Sequence, residues 1–362
     1  MPERKFAVFS GFLGSGKTTC MLAIANCLEK SDIKTALISN DLGASNLVDG
    51  LYTAQNCRCS GSIAGGCICY RTEELVACIK RFTDVEGAKL IISDIPGCGV
   101  GALDHVYFKL SREYPGEFSL APFTVICDPL RLRAIMPGEK RLRLPKEMDY
   151  LFRTQLLEAD VIVLNKIDTV PEKERNACVS FLKETYPGIP VFAVCAKSRQ
   201  GIHGLAEYIL ANKARLVGVD TGYGGAEFTA AESKLSWYDR RFYLKADKPF
   251  NGNAFAAAYF DAVTVRLKAA GKNVPHLKLF ATGEENDYLK VSLIDVDCEA
   301  SFDRRADRES LNYSVCVNAR AVCESELLDT LMGEALDEAV RKFGVYCHVF
   351  STECFGMTDE GV

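Results

Sequence analysis

The chain has 362 residues, a length that suggests two domains with substantial cores. Its 48% hydrophobic and 25% charged content is that of an ordinary globular protein, and a net charge of −5 excludes the broad basic footprint of a nucleic-acid binder. No apolar run approaches the roughly 18 residues that a membrane helix needs, and the first residues enter a predicted strand without a signal peptide, so a cytoplasmic protein is expected.

The first predicted strand is the apolar run Phe6 to Phe9, and a predicted helix follows over Thr19 to Leu28. Between them Gly11 to Thr18 fits G-x-x-x-x-G-K-[ST], the phosphate-binding P-loop, in the strand–loop–helix setting that gives the pattern meaning. Glycines let successive backbone N–H groups curl around a phosphate, and the helix N-terminus adds its positive end. Gly11, Gly14, Ser15, Gly16, Lys17, Thr18 and Thr19 are the candidate nucleotide ligands. Lys17 is expected at the β/γ-phosphates as a catalytic group, and Thr18 on Mg²⁺.

The second strand, Thr35 to Ser39, runs into Asn40-Asp41-Leu42-Gly43. Asp41, at a strand tip beside the P-loop, is a candidate for a magnesium-bound water; Asn-Asp is equally a common turn pair. Then come two C-x-C pairs, Cys57/Cys59 and Cys67/Cys69, separated by a glycine-rich stretch read as a turn. Residues i and i+2 of an extended segment share a face, so each pair offers two thiolates in one direction, and a turn would bring the pairs together. Four thiolates suit Zn²⁺ or an iron–sulfur centre, and soft sulfur disfavours Mg²⁺ and Ca²⁺. Most of the sixteen cysteines are expected as reduced thiols, several of them, such as Cys20 and Cys27, as small buried hydrophobes.

Thr72 to Phe82 reads as an amphipathic helix, and Lys89 to Ser93 as a strand ending in Asp94-x-x-Gly97. Asp94 is placed to hold Mg²⁺ through water and the Gly97 N–H to sense a γ-phosphate. Cys98 follows at once and is a further candidate thiolate; its alternative is a small buried residue. A strand over Phe123 to Cys127 ends at Asp128, and the basic run Arg131 to Lys146 reads as a solvated face, with contact to an acidic protein as the sharper alternative. Val161 to Leu164 is a strand delivering Asn165-Lys166-Ile167-Asp168, the N-K-x-D pattern that reads guanine: a carboxylate accepts from N1–H and the N2 amino group, donors that adenine lacks. A sixth strand, Val191 to Lys197, ends in Ala196-Lys197 beside the expected base, and Gly201 to Leu216 is a closing helix. Alternating strands and helices imply an α/β fold, a mostly parallel sheet covered on both faces, with its sites at the carboxyl ends of the strands.

Residues 218–234 read as a linker between a domain of 1–217 and a smaller α+β domain of 235–362. The latter is predicted from strands at Ser236–Leu244, His276–Thr282, Tyr288–Leu293, Asn312–Asn318 and Tyr346–Phe350, with helices at Phe255–Ala270 and Glu324–Phe343.

Gly11 to Thr19, Asn40-Asp41-x-Gly43, Gly66-Cys67-Ile68-Cys69, Asp94-x-x-Gly97, Val125 to Asp128 and Asn165 to Asp168, in that order, resemble the CobW-type P-loop GTPases, relatives of the hydrogenase and urease maturation GTPases HypB and UreG. The resemblance spans about residues 5 to 215. It implies GTP hydrolysis with Mg²⁺, coupled to delivery of zinc, cobalt or another transition ion or to maturation of a metal- or cobalamin-dependent enzyme. A client metalloenzyme or corrinoid protein is the expected partner, with no nucleic acid and no membrane; a homodimer is allowed. It carries Lys17, Thr18 and Asp168 to nucleotide binding and Cys67 and Cys69 to the metal motif. Two positions depart: Tyr70 stands where the family usually has a third cysteine, and Asp94 where it usually has Glu. A competing expectation is a GTP-dependent docking or regulatory module for such a client, with structural or redox-sensing cysteines.

Overall fold

The computed structural model describes residues 4–41, 43, 48–97, 99–138 and 144–356. Cys98 and the basic positions Lys140, Arg141 and Arg143 lie outside the described residues. The chain divides into two compact units between Thr229 and Ala230, the first also excluding residues 143–145.

The first unit follows the order β1 (Lys5–Ser10), α1 (Lys17–Glu29), β2 (Thr35–Asn40), α2 (Val48–Asn56), β3 (Ser60–Ile63), α3 (Thr72–Lys80), β4 (Leu90–Asp94), α4 (Lys109–Glu113), β5 (Ser119–Leu120), β6 (Thr124–Cys127), α5 (Pro129–Ile135), α6 (Met148–Leu157), β7 (Val161–Leu164), α7 (Glu172–Thr185), β8 (Val191–Ala193) and α8 (Ile202–Ala211), and the division falls within α9 (Ala226–Glu232). Eight strands form one sheet in the order β3-β2-β4-β1-β6-β7-β8, with β5 beside the start of β1, and every pairing is parallel. β1, β2, β4, β6 and β7 are buried at every residue, as strands covered on both faces must be. On one face Ala7, Phe9, Ile92, Ile126 and Val163 pack with Cys20, Met21 and Ile24 of α1 and Leu205 and Ile209 of α8. On the other, Tyr107 packs against Phe6 and Phe123 and its hydroxyl lies 2.9 Å from the Val8 nitrogen.

Three local expectations change. The stretch between the two cysteine pairs contains a strand, β3, in parallel register with β2 from Leu37↔Ser60 to Asn40↔Ile63. The predicted strand through Lys197 stops at Ala193: after Val194 the chain turns, Cys195 N–H donating to Gln200 O at 3.0 Å and Ala196 N–H to Asn165 Oδ1 at 3.0 Å. The predicted linker contains α9.

The second unit holds β9 (Ser236–Phe250), α10 (Gly252–Ala269), β10 (Asn273–Thr282), β11 (Tyr288–Leu293), β12 (Ser301–Arg304), β13 (Ser310–Val322), α11 (Ser325–Phe343) and β14 (Tyr346–Gly356). Six antiparallel strands run in the order β12-β11-β10-β13-β9-β14. Alternate strand residues (Phe242, Leu244, Leu277, Leu279, Val315 and Val317) share a core with Tyr259 and Val263 of α10 and Met332 and Leu336 of α11. β12 is the strand without a counterpart in the sequence expectation.

Candidate nucleotide and cysteine-loop site

Between β1 and α1 the backbone takes conformations that glycine alone adopts readily: φ is +133° at Gly11, +73° at Gly14 and +95° at Gly16. At Gly11 a Cβ would also lie 2.0 Å from the Ile126 carbonyl oxygen. The loop's carbonyls are held from behind. Ser15 N–H donates to Phe12 O at 3.1 Å, Lys166 Nζ to Gly14 O at 2.5 Å and Asn165 Nδ2 to Ser15 O at 3.0 Å. Lys17 Nζ donates to Gly11 O at 2.7 Å. These bonds fix the Gly11, Gly14 and Ser15 carbonyls, the backbone frame that a P-loop needs. The buried Ser15 hydroxyl has no partner among the described residues, which fits a cradle for a polar ligand. Thr18, buried in the first turn of α1, and the Asp94 carboxylate at the end of β4 supply the hard oxygen donors that suit Mg²⁺.

Asn165 is 2% exposed and ties three pieces together. Its amide reaches the P-loop, its carbonyl takes the Ala196 N–H, and the strand it ends delivers Lys166 and Asp168. Lys166 is left-handed, with φ 58°, and opens the short 3₁₀ turn Ile167–Thr169. Asp168 and Lys197 are both exposed on neighbouring loops, joined by Ile167 N–H to Val194 O at 3.3 Å.

β4 lies between β1 and β2, so Asp94 stands between the P-loop and the strand that leads to Asp41. A Cβ on Gly97 would lie 2.9 Å from Leu13 N, so the loop after Asp94 packs directly on the P-loop. From the far side α6 holds that loop. Gln155 Nε2 donates to Gly97 O and Gly99 O, each at 3.0 Å. The buried Glu158 accepts from Gly101 N at 2.9 Å and Leu103 N at 3.1 Å, capping the helical stretch 102–113. Burial pushes Glu158 up to about 7 against the pull of those two N–H bonds.

Asn40 ends β2. Its N–H donates to Asp94 Oδ1 at 2.7 Å. Its amide donates to Ile63 O at 2.9 Å and Gly66 O at 2.8 Å, and its side-chain oxygen takes Ile68 N–H at 3.1 Å. Cys67 lies between two of those anchor points. Cys69 N–H donates to Cys67 Sγ at 3.4 Å. The Cys67 thiol beside it, together with burial, holds the Cys69 thiol well above the usual range. Asp41 sits at the mouth of the same loop, its N–H donating to Ile63 O at 3.3 Å and its carbonyl accepting from Gly66 N at 3.4 Å.

The expected four-thiolate cluster does not form. Cys57 and Cys59 precede β3, where Cys57 Sγ reaches Thr35 O at the start of β2, whereas Cys67 and Cys69 follow β3 at the end of β2. The length of β2 separates the pairs, roughly 16 Å at a strand's usual rise. Cys59 is buried, and its thiol donates to Glu86 Oε2 at 3.0 Å. Burial and that carboxylate push it up to about 12, so it stays a thiol. Among the described residues no group of three or more His, Cys, Asp or Glu converges as a metal site. Tyr70, where a third cysteine was the family expectation, is exposed and pairs its hydroxyl with that of Tyr223. The basic run is also not wholly a solvated face. Arg131 is buried and ion-paired to Asp128 at 3.0 Å.

Sequence reasoning gave no role to Asn40, Gln155 or Glu158. The available signals were an amide side chain at a strand tip and two polar residues three apart on one helix.

A P-loop at the carboxyl end of a wholly parallel, helix-covered sheet, with N-K-x-D two strands away, defines a P-loop nucleotide-binding protein. The chain belongs to the CobW/HypB/UreG family, whose nucleotide-binding domain matches residues 5–193. No curated protein matches it. Among solved structures it is similar to HypB from Helicobacter pylori in complex with nickel (16% identity, covering 57% of this chain and 85% of that one, TM-score 0.40). It is also similar to the Zn(II)-bound YjiA GTPase from E. coli (14% identity, covering 92% and 99%, TM-score 0.37). A third is PAB0955, a GTPase from Pyrococcus abyssi in apo form (19% identity, covering 57% and 96%, TM-score 0.33). No helix among the described residues is long and apolar enough to cross a membrane.

Proposed function

We propose that this chain binds and hydrolyses GTP and uses the nucleotide state to hold or release a soft transition ion, zinc or cobalt, as a metallochaperone or maturation factor for a client metalloenzyme or corrinoid protein. The observation that carries this reading is the sheet order. β4, ending in Asp94, lies between the P-loop strand β1 and β2, whose last residue anchors the Cys67/Cys69 loop. The P-loop and the Cys67/Cys69 loop therefore share one end of one sheet, which supports coupling between them.

In this reading the N–H groups of residues 11–19 and the Lys17 ammonium bind the phosphates. Thr18 and Asp94 hold Mg²⁺, which supplies charge neutralisation when bound. Gly97, already against Leu13, follows the γ-phosphate. Asn165 and Lys166 fix the base loop to the P-loop, Asp168 accepts from guanine, and Ala196 and Lys197 line the base. Asp41 or Asp94 orients the attacking water. Cys67 and Cys69 offer a two-thiolate clip to the cargo ion, whose remaining ligands come from solvent or the client. Holding both thiols as thiolates releases protons, so metal binding tightens as pH rises.

The test is metal affinity measured with a GTP analogue, with GDP and without nucleotide, with Cys67→Ser/Cys69→Ser as the control for the site. A second reading, a GTP-dependent docking or regulatory module, is favoured by one observation: Tyr70 replaces a third thiolate, and no third ligand converges among the described residues. Under it the double serine variant keeps full function.

A further inference from the structure

We propose that Asn40 is the residue that couples the nucleotide site to the cysteine loop; this rests on the function proposed above and names its transmission point. Asn40 touches both halves through different parts of itself. Its backbone N–H is bound to Asp94 Oδ1 at 2.7 Å, a short charge-assisted bond. Among the described residues its side-chain amide is bound on the other side, to Ile63 O, Gly66 O and Ile68 N. Two rotatable bonds, χ1 and χ2, separate the halves, and the residue is 6% exposed, so water does not substitute for the contacts.

The segment it grips is a tight turn. Gly65 and Gly66 take φ of +73° and +150°, and Gly65 N–H donates to Gly43 O at 2.7 Å. The side-chain amide of Asn40 holds the residues immediately before and after Cys67. A reorientation of the Asp94 carboxylate is therefore felt at Asn40 N, carried through its side chain and delivered to Gly66 and Ile68. Coupling of this kind is a difference in metal affinity between two nucleotide states, and it is reciprocal.

The geometry separates coupling from binding, because the bond to Asp94 is a backbone bond that every side-chain variant retains. The experiment titrates Zn²⁺ against a chromophoric chelator, using the full chain with Mg²⁺ and either a non-hydrolysable GTP analogue or GDP. Wild type is expected to show at least a tenfold ratio between the two states. Asn40→Ala is expected to bring that ratio to within twofold of one, with GTP-analogue affinity changed less than threefold. A merely structural residue would weaken zinc equally in both states and leave the ratio intact. Asn40→Asp, which keeps an acceptor for Ile68 N–H but loses both donors, is expected to reduce the ratio as well and serves if the alanine variant does not fold. A wild-type-like ratio in these variants overturns the assignment alone. Equal zinc affinities in wild type overturn the proposed function, and the assignment with it.

Discussion

Replacing Asn165 with alanine removes one carboxamide and leaves two buried backbone groups without partners, the Ser15 carbonyl and the Ala196 N–H, each bonded at 3.0 Å. An unpaired buried group costs about 1–3 kcal/mol, so the pair should cost about 2–4 kcal/mol after the loops relax. In a domain of this size that corresponds to a fall in melting temperature of about 5–15 °C. The damage is directional, because one lost bond holds a carbonyl of the P-loop frame. If half of the loss falls there, nucleotide affinity drops about tenfold. Thermal unfolding and equilibrium binding of a fluorescent GTP analogue read the two effects separately. Asn165→Asp sharpens the comparison: it can still accept from Ala196, but it sets a carboxylate against the Ser15 carbonyl, so binding should suffer at least as much as in the alanine variant. An Asn165→Ala protein with a melting temperature within 1 °C of wild type and unchanged affinity would refute the reasoning.

Two further outcomes follow from buried charge. Glu158 has its pKa raised from 4.5 to about 7, chiefly by burial, so the folded chain holds this proton more tightly than the unfolded one. Its contribution to stability therefore falls as pH rises from about 4.5 to about 7 and is flat above, a loss of about 3 kcal/mol. Glu158→Gln, which keeps one acceptor for the two N–H groups, should remove that part of the slope; equal slopes in denaturant melts from pH 5 to 8 would contradict this. Arg131→Ala strands Asp128, a fully buried carboxylate whose large cost of burial is offset by Arg131 together with Lys166, so that it stays below the usual range. It should destabilise by about 3–5 kcal/mol in urea unfolding, whereas a loss below 1 kcal/mol would show that the pair is not what holds Asp128.

The parts of the site set by backbone chemistry were legible in the sequence. A P-loop needs glycines at fixed spacing, and N-K-x-D needs a strand end, so residue type and spacing alone locate Gly11 to Thr19 and Asn165 to Asp168. The buried parallel strands were legible for the same reason, because a strand covered on both faces is a continuous apolar run. What could not be read depended on partners distant in sequence. Ser60-Gly61-Ser62-Ile63 has no apolar alternation, and it becomes a strand because β2 offers an open edge. That one pairing pulls Cys57 and Cys59 away from Cys67 and Cys69 and reduces four expected thiolates to two. Arg131 looked like one of several surface cations, yet Asp128 three residues earlier caps α5 and draws it inside. Asn40 looked like half of a turn pair because its three side-chain partners lie 23 to 28 residues away.

The central claim is that one sheet end joins nucleotide state to a thiolate clip. It is tested most directly by the zinc affinity of the wild-type chain with Mg²⁺ and a GTP analogue, with Mg²⁺ and GDP, and with neither. The proposal predicts affinities that differ at least tenfold between the analogue and GDP states, with the difference absent in Cys67→Ser/Cys69→Ser. Three equal affinities would contradict it.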